Sequence, residues 1–316
     1  MHPDLNYLLL NEHLKLDMFK LIATIKTILD HPLSRRNEHI AILNLLKWQI
    51  RIRLNGSSII IPWIQDSSFI CGKGETGLTG NIYTGLFEFE EMSFLIHALS
   101  PREIFVDVGA NVGAYTILAS QVIKSRSISF EPIPETVKRL EKQIQLNRIE
   151  ELVDVRPMGV GSTNNPLAFT TNSDTTNKVS IDSGVENAEF FKVTTLDEDL
   201  TGDGPYFLKI DVEGFEYSVL EGSKNILKSG KIMAIIIELN QNGEKFGHTN
   251  DEIHEVLNSH GYTAVSYDPF NRNLKILNSY NHKLPNTIYV KDVELISNRC
   301  KSAPLRIIHP LGKRTI

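Results

Sequence analysis

The sequence predicts an α/β protein: an open, mostly parallel sheet with helices on both faces, preceded by a helical and β-hairpin extension. Three observations predict it. From Ile104 onward, strand-like and helix-like stretches alternate, the pattern of βαβ units. The segment FVDVGANVGAYTILAS, Phe105 to Ser120, leads from an apolar strand ending in an acid, through a glycine-bearing turn, into an amphipathic helix. Such a unit cradles nucleotides. The 316 residues, 41% hydrophobic, suffice for one large α/β domain with an extension, or for two modest domains.

Taken in order, residues 4 to 29 carry Leu5, Leu8, Leu9, Leu14, Leu16, Phe19, Ile22, Ile25 and Ile28 at helical spacing, and a second helix is expected over about 36–47. Packing within the chain is the preferred use of these apolar faces; a second copy, giving a homo-oligomer, or a membrane surface are the alternatives. QIRIRLNGSSIIIPW then alternates apolar and polar residues around Asn55-Gly56, a strong hairpin signal. Asn55-Gly56-Ser57 is also a glycosylation sequon, but the turn explains it better. Residues 67–87 are glycine-rich and loop-like, and a helix is expected from Phe89 to Leu99. Strands are expected near 103–107, 127–131, 153–157, 206–210, 233–238, 262–267 and 285–290, with helices near 113–124, 135–146, 214–221, 223–229 and 250–259. Thr249 with Glu252 forms a capping-box pattern, and Gly261 supplies the stop. The polar stretch from Gly161 to Thr195 reads as an insertion over the active edge, with PLAFTTN and FFKVTT as extra strands. The expected organisation is an accessory region over 1–80, a cofactor-binding domain over 81–292 and a basic tail over 293–316.

Composition bounds the function. Thirty-three basic against 38 acidic residues give a net charge of −5, so no global field draws the chain to nucleic acid. Two cysteines, Cys71 and Cys300, make neither a disulfide framework nor a metal cluster, and fit a reducing compartment. In MHPDLNYLLLNEHLKLD, charges interrupt each apolar run before it reaches signal or membrane-span length. A soluble, cytoplasmic protein with no nucleic-acid partner and no stable membrane insertion is expected.

The first turn discriminates between nucleotides. A dinucleotide fingerprint needs a second glycine where the backbone approaches the pyrophosphate. Here the order is Asp107-Val108-Gly109-Ala110-Asn111-Val112-Gly113, with asparagine at that place. The Asp107 carboxylate would repel phosphate and would suit a ligand carrying ammonium and sulfonium groups, as S-adenosylmethionine does. Glu131, ending the next strand, falls near the spacing at which an acid reaches ribose hydroxyls.

FVDVGANVGAYT, FEPIPETVKRLEKQIQLN, VTTLDEDL, LKIDVEGFEYSVLEGS and IIIELN occur in the order seen in FkbM-type methyltransferases, and over roughly residues 80 to 290 the chain resembles that family. D-V-G-A-N-x-G alone would indicate only a class I methyltransferase; K-I-D-V-E-G-x-E is more specific. The resemblance implies a seven-stranded class I methyltransferase, Rossmann-like fold, S-adenosylmethionine as cofactor, and O-methylation of a hydroxyl on a sugar, glycan or natural-product intermediate. It also implies that Asp107, Gly109, Asn111 and Gly113 surround the methionine part of the cofactor, Glu131 the ribose, Pro132-Ile133 the adenine, and Met158-Gly159 the lid over the base.

Methyl transfer to a hydroxyl needs an aligned acceptor and a group to take its proton. The turn ending the fourth strand, LKIDVEGFE, is best placed at the carboxyl edge of the sheet. Asp211 or Glu213 is the expected base or hydroxyl orienter, with Lys209 neutralising Asp211 or Asp107 and Glu238 a further polar group on that edge. A purely structural charge network is the competing reading of these residues. Asn240 and His248 follow in a loop expected to face substrate, with His248 as fallback base. TTNSDTTNKVS is either a wall of the acceptor pocket or a solvated loop. Asp211, Glu213, Glu238 and Asn240 could ligate magnesium, but nothing has diagnostic spacing and no metal site is assigned. The alternatives kept open are a nicotinamide-dependent oxidoreductase and a non-catalytic binding module that retains the cofactor fold.

Overall fold

The computed structural model describes residues 21–55, 58–72, 76–170 and 188–316. Sixteen strands are assigned among them: β1 Ile59–Pro62, β2 Ser68–Cys71, β3 Ile104–Val108, β4 Arg126–Phe130, β5 Val153–Arg156, β6 Gly159–Val160, β7 Leu167–Thr170, β8 Ala188–Phe191, β9 Val193–Thr194, β10 Tyr206–Ile210, β11 Ile232–Glu238, β12 Thr263–Asp268, β13 Asn273–Ile276, β14 Asn286–Val290, β15 Ile307–Ile308 and β16 Arg314–Thr315. The central sheet has eight strands in the order β13-β12-β14-β11-β10-β3-β4-β5. From β5 to β11 neighbours are parallel, whereas β14 runs antiparallel to both β11 and β12. All seven expected strands lie in this α/β sheet. The eighth, β13, is a four-residue edge strand that returns from β12 in an antiparallel hairpin and was not among the expected strands.

Strand alternation sorts the core into layers. Phe105, Phe207, Ile236 and Ile288 join one cluster with the helices Phe89–Ala98 and Val293–Ser302 and with the N-terminal extension. Val106, Leu208, Ile235 and Tyr289 join the other, packed by the helices Glu216–Glu221, Lys224–Lys228 and Asn250–Ser259. The helix Asn250–Ser259 has the expected capping box between Thr249 and Glu252. The strand order reverses between β3 and β10. The chain leaving β3 and the chain leaving β10 therefore enter helices on opposite faces of the sheet, which marks the usual ligand site of open α/β sheets.

The extension differs from expectation. Residues 49–55 are not a hairpin strand: they complete a helix spanning Glu38–Asn55. Alternation in QIRIRLN competes there with a helical stripe of Ala41, Leu45 and Trp48, all buried, and burial in the tertiary core decides. The hairpin forms one segment later, where β1 pairs with β2. The stretch expected to be loop contains β2 and a helix over Thr76–Thr84. The outer edge of β2 is satisfied by side chains of the helix Pro134–Asn147. Gln143 exchanges hydrogen bonds with Ile70, and Asn147 with Ser68, in place of a strand partner.

The basic C-terminal segment folds back on the extension. Ile64 bridges Ile308, and Ile308, Leu311 and Ile316 share one cluster with Ile28, Trp48 and Trp63. In the insertion, β7 pairs with β8 and β6 with β9; residues 171–187, which hold most of TTNSDTTNKVS, lie outside the described residues. Residues 21–30 are helical, and the rest of the first expected helix also lies outside. No helix among the described residues is long and apolar enough to cross a membrane.

Candidate active site

A cleft enclosing about 750 Å³, its open mouth included, lies at the carboxyl ends of β3, β4 and β10. Its walls bring together Gly109, Asn111, Glu131, Pro132, Ile133, Met158, Gly159, Asp211 and Glu213 from four separate stretches of sequence.

The turn geometry explains the close approach. Gly109 has φ +83°, and a Cβ there would lie 1.9 Å from the Asp211 carbonyl oxygen, so only glycine lets the β3 and β10 turns touch. The Asp211 N–H completes that contact by donating to the Val108 carbonyl at 3.0 Å. Glu131 is 7% exposed and braced from two sides: the Asn111 N–H donates to one oxygen at 3.1 Å and the Ile133 N–H to the other at 3.0 Å. Each oxygen keeps a lone pair for a ligand. Burial pushes this carboxyl up to about 7, against the pull of those two N–H groups.

Two of the residues expected near the cofactor lie beside the cleft rather than on its wall. Asp107 shares a strand face with Phe105, so it points at the helix beginning with Ala114, where Thr116 donates to it at 2.6 Å. It is fully enclosed, and burial pushes it up to about 6 despite that bond and the nearby Lys209. Gly113, at φ +88°, sits under Leu140 and lets the helix start close to its neighbour.

Comparison with known proteins decides the affiliation. A family model described as "Methyltransferase FkbM domain" matches residues 107–264, half of the chain. The chain belongs to the FkbM methyltransferase family. Among curated proteins it is similar to the hexuronic acid methyltransferase AglP of Haloferax volcanii, at 29% identity over 159 residues, which is 48% of this chain and 62% of that protein. The chain thus spans about three fifths of that relative's length. Among solved structures it is similar to a precorrin-6y C5,15-methyltransferase from Geobacter metallireducens, with TM-score 0.36, 12% identity and coverage of 64% and 87% of the two chains. An rRNA methylase from Streptococcus thermophilus gives TM-score 0.36, 14% identity and coverage of 63% and 91%. Likenesses that distant carry no argument about this chain.

In this member of the FkbM methyltransferase family every residue lining the cleft falls inside the matched segment, but the polar network behind it reaches outside. Lys209 does not line the cleft. It is 1% exposed and donates to Asp211 Oδ2 at 2.8 Å, with Asn286 Oδ1 at 3.5 Å. Burial alone would lower its pKa, but Asp211 and Glu88 outweigh that, so the net shift is upward and the ammonium persists. Glu88, on the turn before the helix Phe89–Ala98, accepts from the Tyr115 hydroxyl at 2.5 Å and from Asn286 Nδ2 at 2.9 Å.

Glu238 also stands outside the cleft wall. Its Oε2 is buried with no hydrogen-bond partner among the described residues, and burial followed by Asp211 pushes the carboxyl up to about 9. That shift favours the protonated form, which can donate a hydrogen bond. His248 is not in the cleft: its ring stacks on Tyr217 at 3.7 Å, with Glu252 3.9 Å from Nδ1.

Glu216 was not singled out from the sequence. It is 2% exposed, and its Oε1 accepts the N–H groups of Val212 at 3.0 Å and Gly214 at 3.2 Å, clamping the turn that carries Asp211 and Glu213. Glu213 itself is held at φ +57°, in the left-handed region. Burial pushes Glu216 up to about 7 while those N–H groups pull the other way. The last glutamate of KIDVEGFE was the available signal. Glu88, Tyr115 and Asn286 come from three unrelated segments, and no spacing joins them in the sequence.

Proposed function

We propose that this protein transfers a methyl group from S-adenosylmethionine to a hydroxyl of a sugar or sugar-bearing intermediate. The observation that carries the reading is the charge of the cleft. Its described lining residues include three carboxylates, Glu131, Asp211 and Glu213, and no lysine, arginine or histidine. A dinucleotide would place two phosphates against those acids, with no cation on the cleft wall to meet them. A cationic sulfonium and ammonium would instead be favoured, and the nucleoside end finds an acid for its diol. Apolar Ile133, Met158, Val212 and Phe215 give the base a surface to lie on. The residues present fit S-adenosylmethionine, and nothing favours the nicotinamide alternative.

When bound, S-adenosylmethionine supplies an electrophilic methyl group on a positively charged sulfur. The chain's own part is to hold the acceptor and move one proton. Glu131 accepts from the ribose hydroxyls, and the Gly109–Asn111 turn meets the amino-acid end. Asp211 or Glu213 accepts the hydrogen bond of the acceptor hydroxyl and takes its proton as the new bond forms. Lys209 acts through Asp211: its ammonium pairs with that carboxylate and fixes its rotamer. Glu238, as a neutral acid, offers a donor at the same edge. The sugar class of the acceptor is supported by the hexuronic acid methyltransferase relative.

Calorimetry tests the cofactor half. Micromolar binding of S-adenosylmethionine and adenosylhomocysteine is expected, about −8 kcal/mol at 1 μM, with none for NADH. Tight NADH binding and no response to either adenosyl ligand would overturn the proposal.

A further inference from the structure

The helix Glu38–Asn55 has two apolar faces. One is buried in the core; the other presents Leu43, Leu46, Ile50 and Leu54 with exposures of 46%, 54%, 56% and 78%. At spacings of three and four residues these form one outward stripe. On the adjoining strand Ile60 is 59% exposed. Between helix and strand runs a shallow groove of about 410 Å³ lined by Trp48, Ile59, Ile61 and Ile82, with Lys47 and Arg51 also on its walls.

Charge on this face is one-sided. After Glu38 the next acidic residue is Asp66, and Lys47, Arg51 and Arg53 come between them. The C-terminal segment packed alongside has no acidic side chain after Glu294, and it brings Arg306, Lys313 and Arg314. It is tied to the helix by Asn44, which donates to the Pro310 carbonyl, and by Arg314, which donates to Asn37. On a chain with net charge −5, an aliphatic stripe on a helix whose only Lys, Arg, Asp or Glu residues after Glu38 are Lys47, Arg51 and Arg53 is a marked asymmetry.

We propose that this face docks on an anionic lipid bilayer. The helix lies along the surface with Leu43, Leu46, Ile50 and Leu54 at the boundary between headgroups and acyl chains, while Lys47, Arg51 and Arg53 meet lipid phosphates. Two other occupants fit less well. Stripe-to-stripe packing of a second copy would crowd the same cations of both copies together with no acid between them. A nucleic acid would gain nothing from four aliphatic side chains, which neither stack on bases nor read their edges. The attachment is peripheral, and it resides on this helix rather than on residues 1–30, where charges break the stripe. It does not depend on the proposed methyl transfer.

Flotation of the full chain tests it, using vesicles of phosphatidylcholine with or without phosphatidylserine. Binding is expected only with phosphatidylserine, at low salt, with release at high salt. Leu46→Glu with Ile50→Glu should cut the bound fraction at least tenfold, and Lys47→Gln or Arg51→Gln should weaken binding about fivefold each. These side chains are exposed, and an unchanged thermal melt confirms folding; if the glutamate pair misfolds, the glutamine variants carry the test. Absence of flotation at low salt, or equal binding to pure phosphatidylcholine, overturns the proposal. A dimer seen by sedimentation and split by the Leu46/Ile50 pair, without flotation, would assign the face to a second copy.

Discussion

Replacing Lys209 with methionine isolates the charge that orders the candidate acceptor side. Methionine keeps most of the buried aliphatic stem and removes only the ammonium, which lies 2.8 Å from Asp211 Oδ2 and 3.5 Å from Asn286 Oδ1. Two carboxylates, Asp211 and Glu88, then lose their shared cation. Breaking a fully buried pair by removing one partner costs about 3–5 kcal/mol. The Asp211 side chain retains 31% exposure, so water screens part of the loss and about 2–3 kcal/mol is the better expectation. At about 2–4 °C per kcal/mol, the melting temperature should fall by roughly 4–12 °C. Turnover should fall as Asp211 loses the ammonium that fixes its rotamer, while cofactor affinity stays within about threefold, because Lys209 does not line the cleft. Thermal unfolding, turnover assays and calorimetry on one preparation read all three. A melting temperature within about 1 °C of the parent, together with unchanged turnover, would refute the assigned role of Lys209.

Asp211→Asn or Glu213→Gln should leave cofactor binding nearly intact and lower turnover by about 10²–10⁴ for whichever carboxylate takes the proton; full turnover in both variants removes both from the mechanism. Because Glu131 titrates at about 7, its ionised form, the one able to accept from both ribose hydroxyls, is lost as pH falls through that value. S-adenosylmethionine affinity should weaken by up to about tenfold per unit below pH 7 in the parent and stay flat in Glu131→Gln, as calorimetry would show. Glu216→Ala leaves the Val212 and Gly214 N–H groups without their acceptor, costing about 1–3 kcal/mol for each that stays dry. Turnover should fall more than KM rises, and Glu216→Gln, which keeps an acceptor oxygen, should recover most of it; equal loss in the two variants would argue against a clamp.

The sheet was legible because buried parallel strands alternate with amphipathic helices, and each of the seven expected strands is present. The cleft was legible where its residues share one strand–turn–helix unit: Gly109, Asn111 and Glu131 were found from spacing, and all line the cavity. Side-chain direction was not. Asp107 stands in the same turn, yet strand parity aims it at Thr116, and only the sheet register reveals which way it faces. The extension misled for a different reason. QIRIRLN satisfies the strand period, and the Ala41, Leu45, Trp48 stripe that overrides it gains its value only from a partner surface, part of which comes from the far C-terminus. The Glu88–Asn286–Lys209 network is assembled from segments nearly 200 residues apart, beyond the reach of any local pattern.

The central claim is methyl transfer to a sugar hydroxyl. It is tested most directly by incubating the protein with methyl-labelled S-adenosylmethionine and a panel of oligosaccharides, including some containing hexuronic acid, and following the label by mass spectrometry. Gain of one methyl on a sugar oxygen, abolished by replacing the catalytic carboxylate among Asp211 and Glu213, is the predicted result. Label that appears on no sugar, or that appears equally with the Asp211→Asn, Glu213→Gln double variant, would contradict the account.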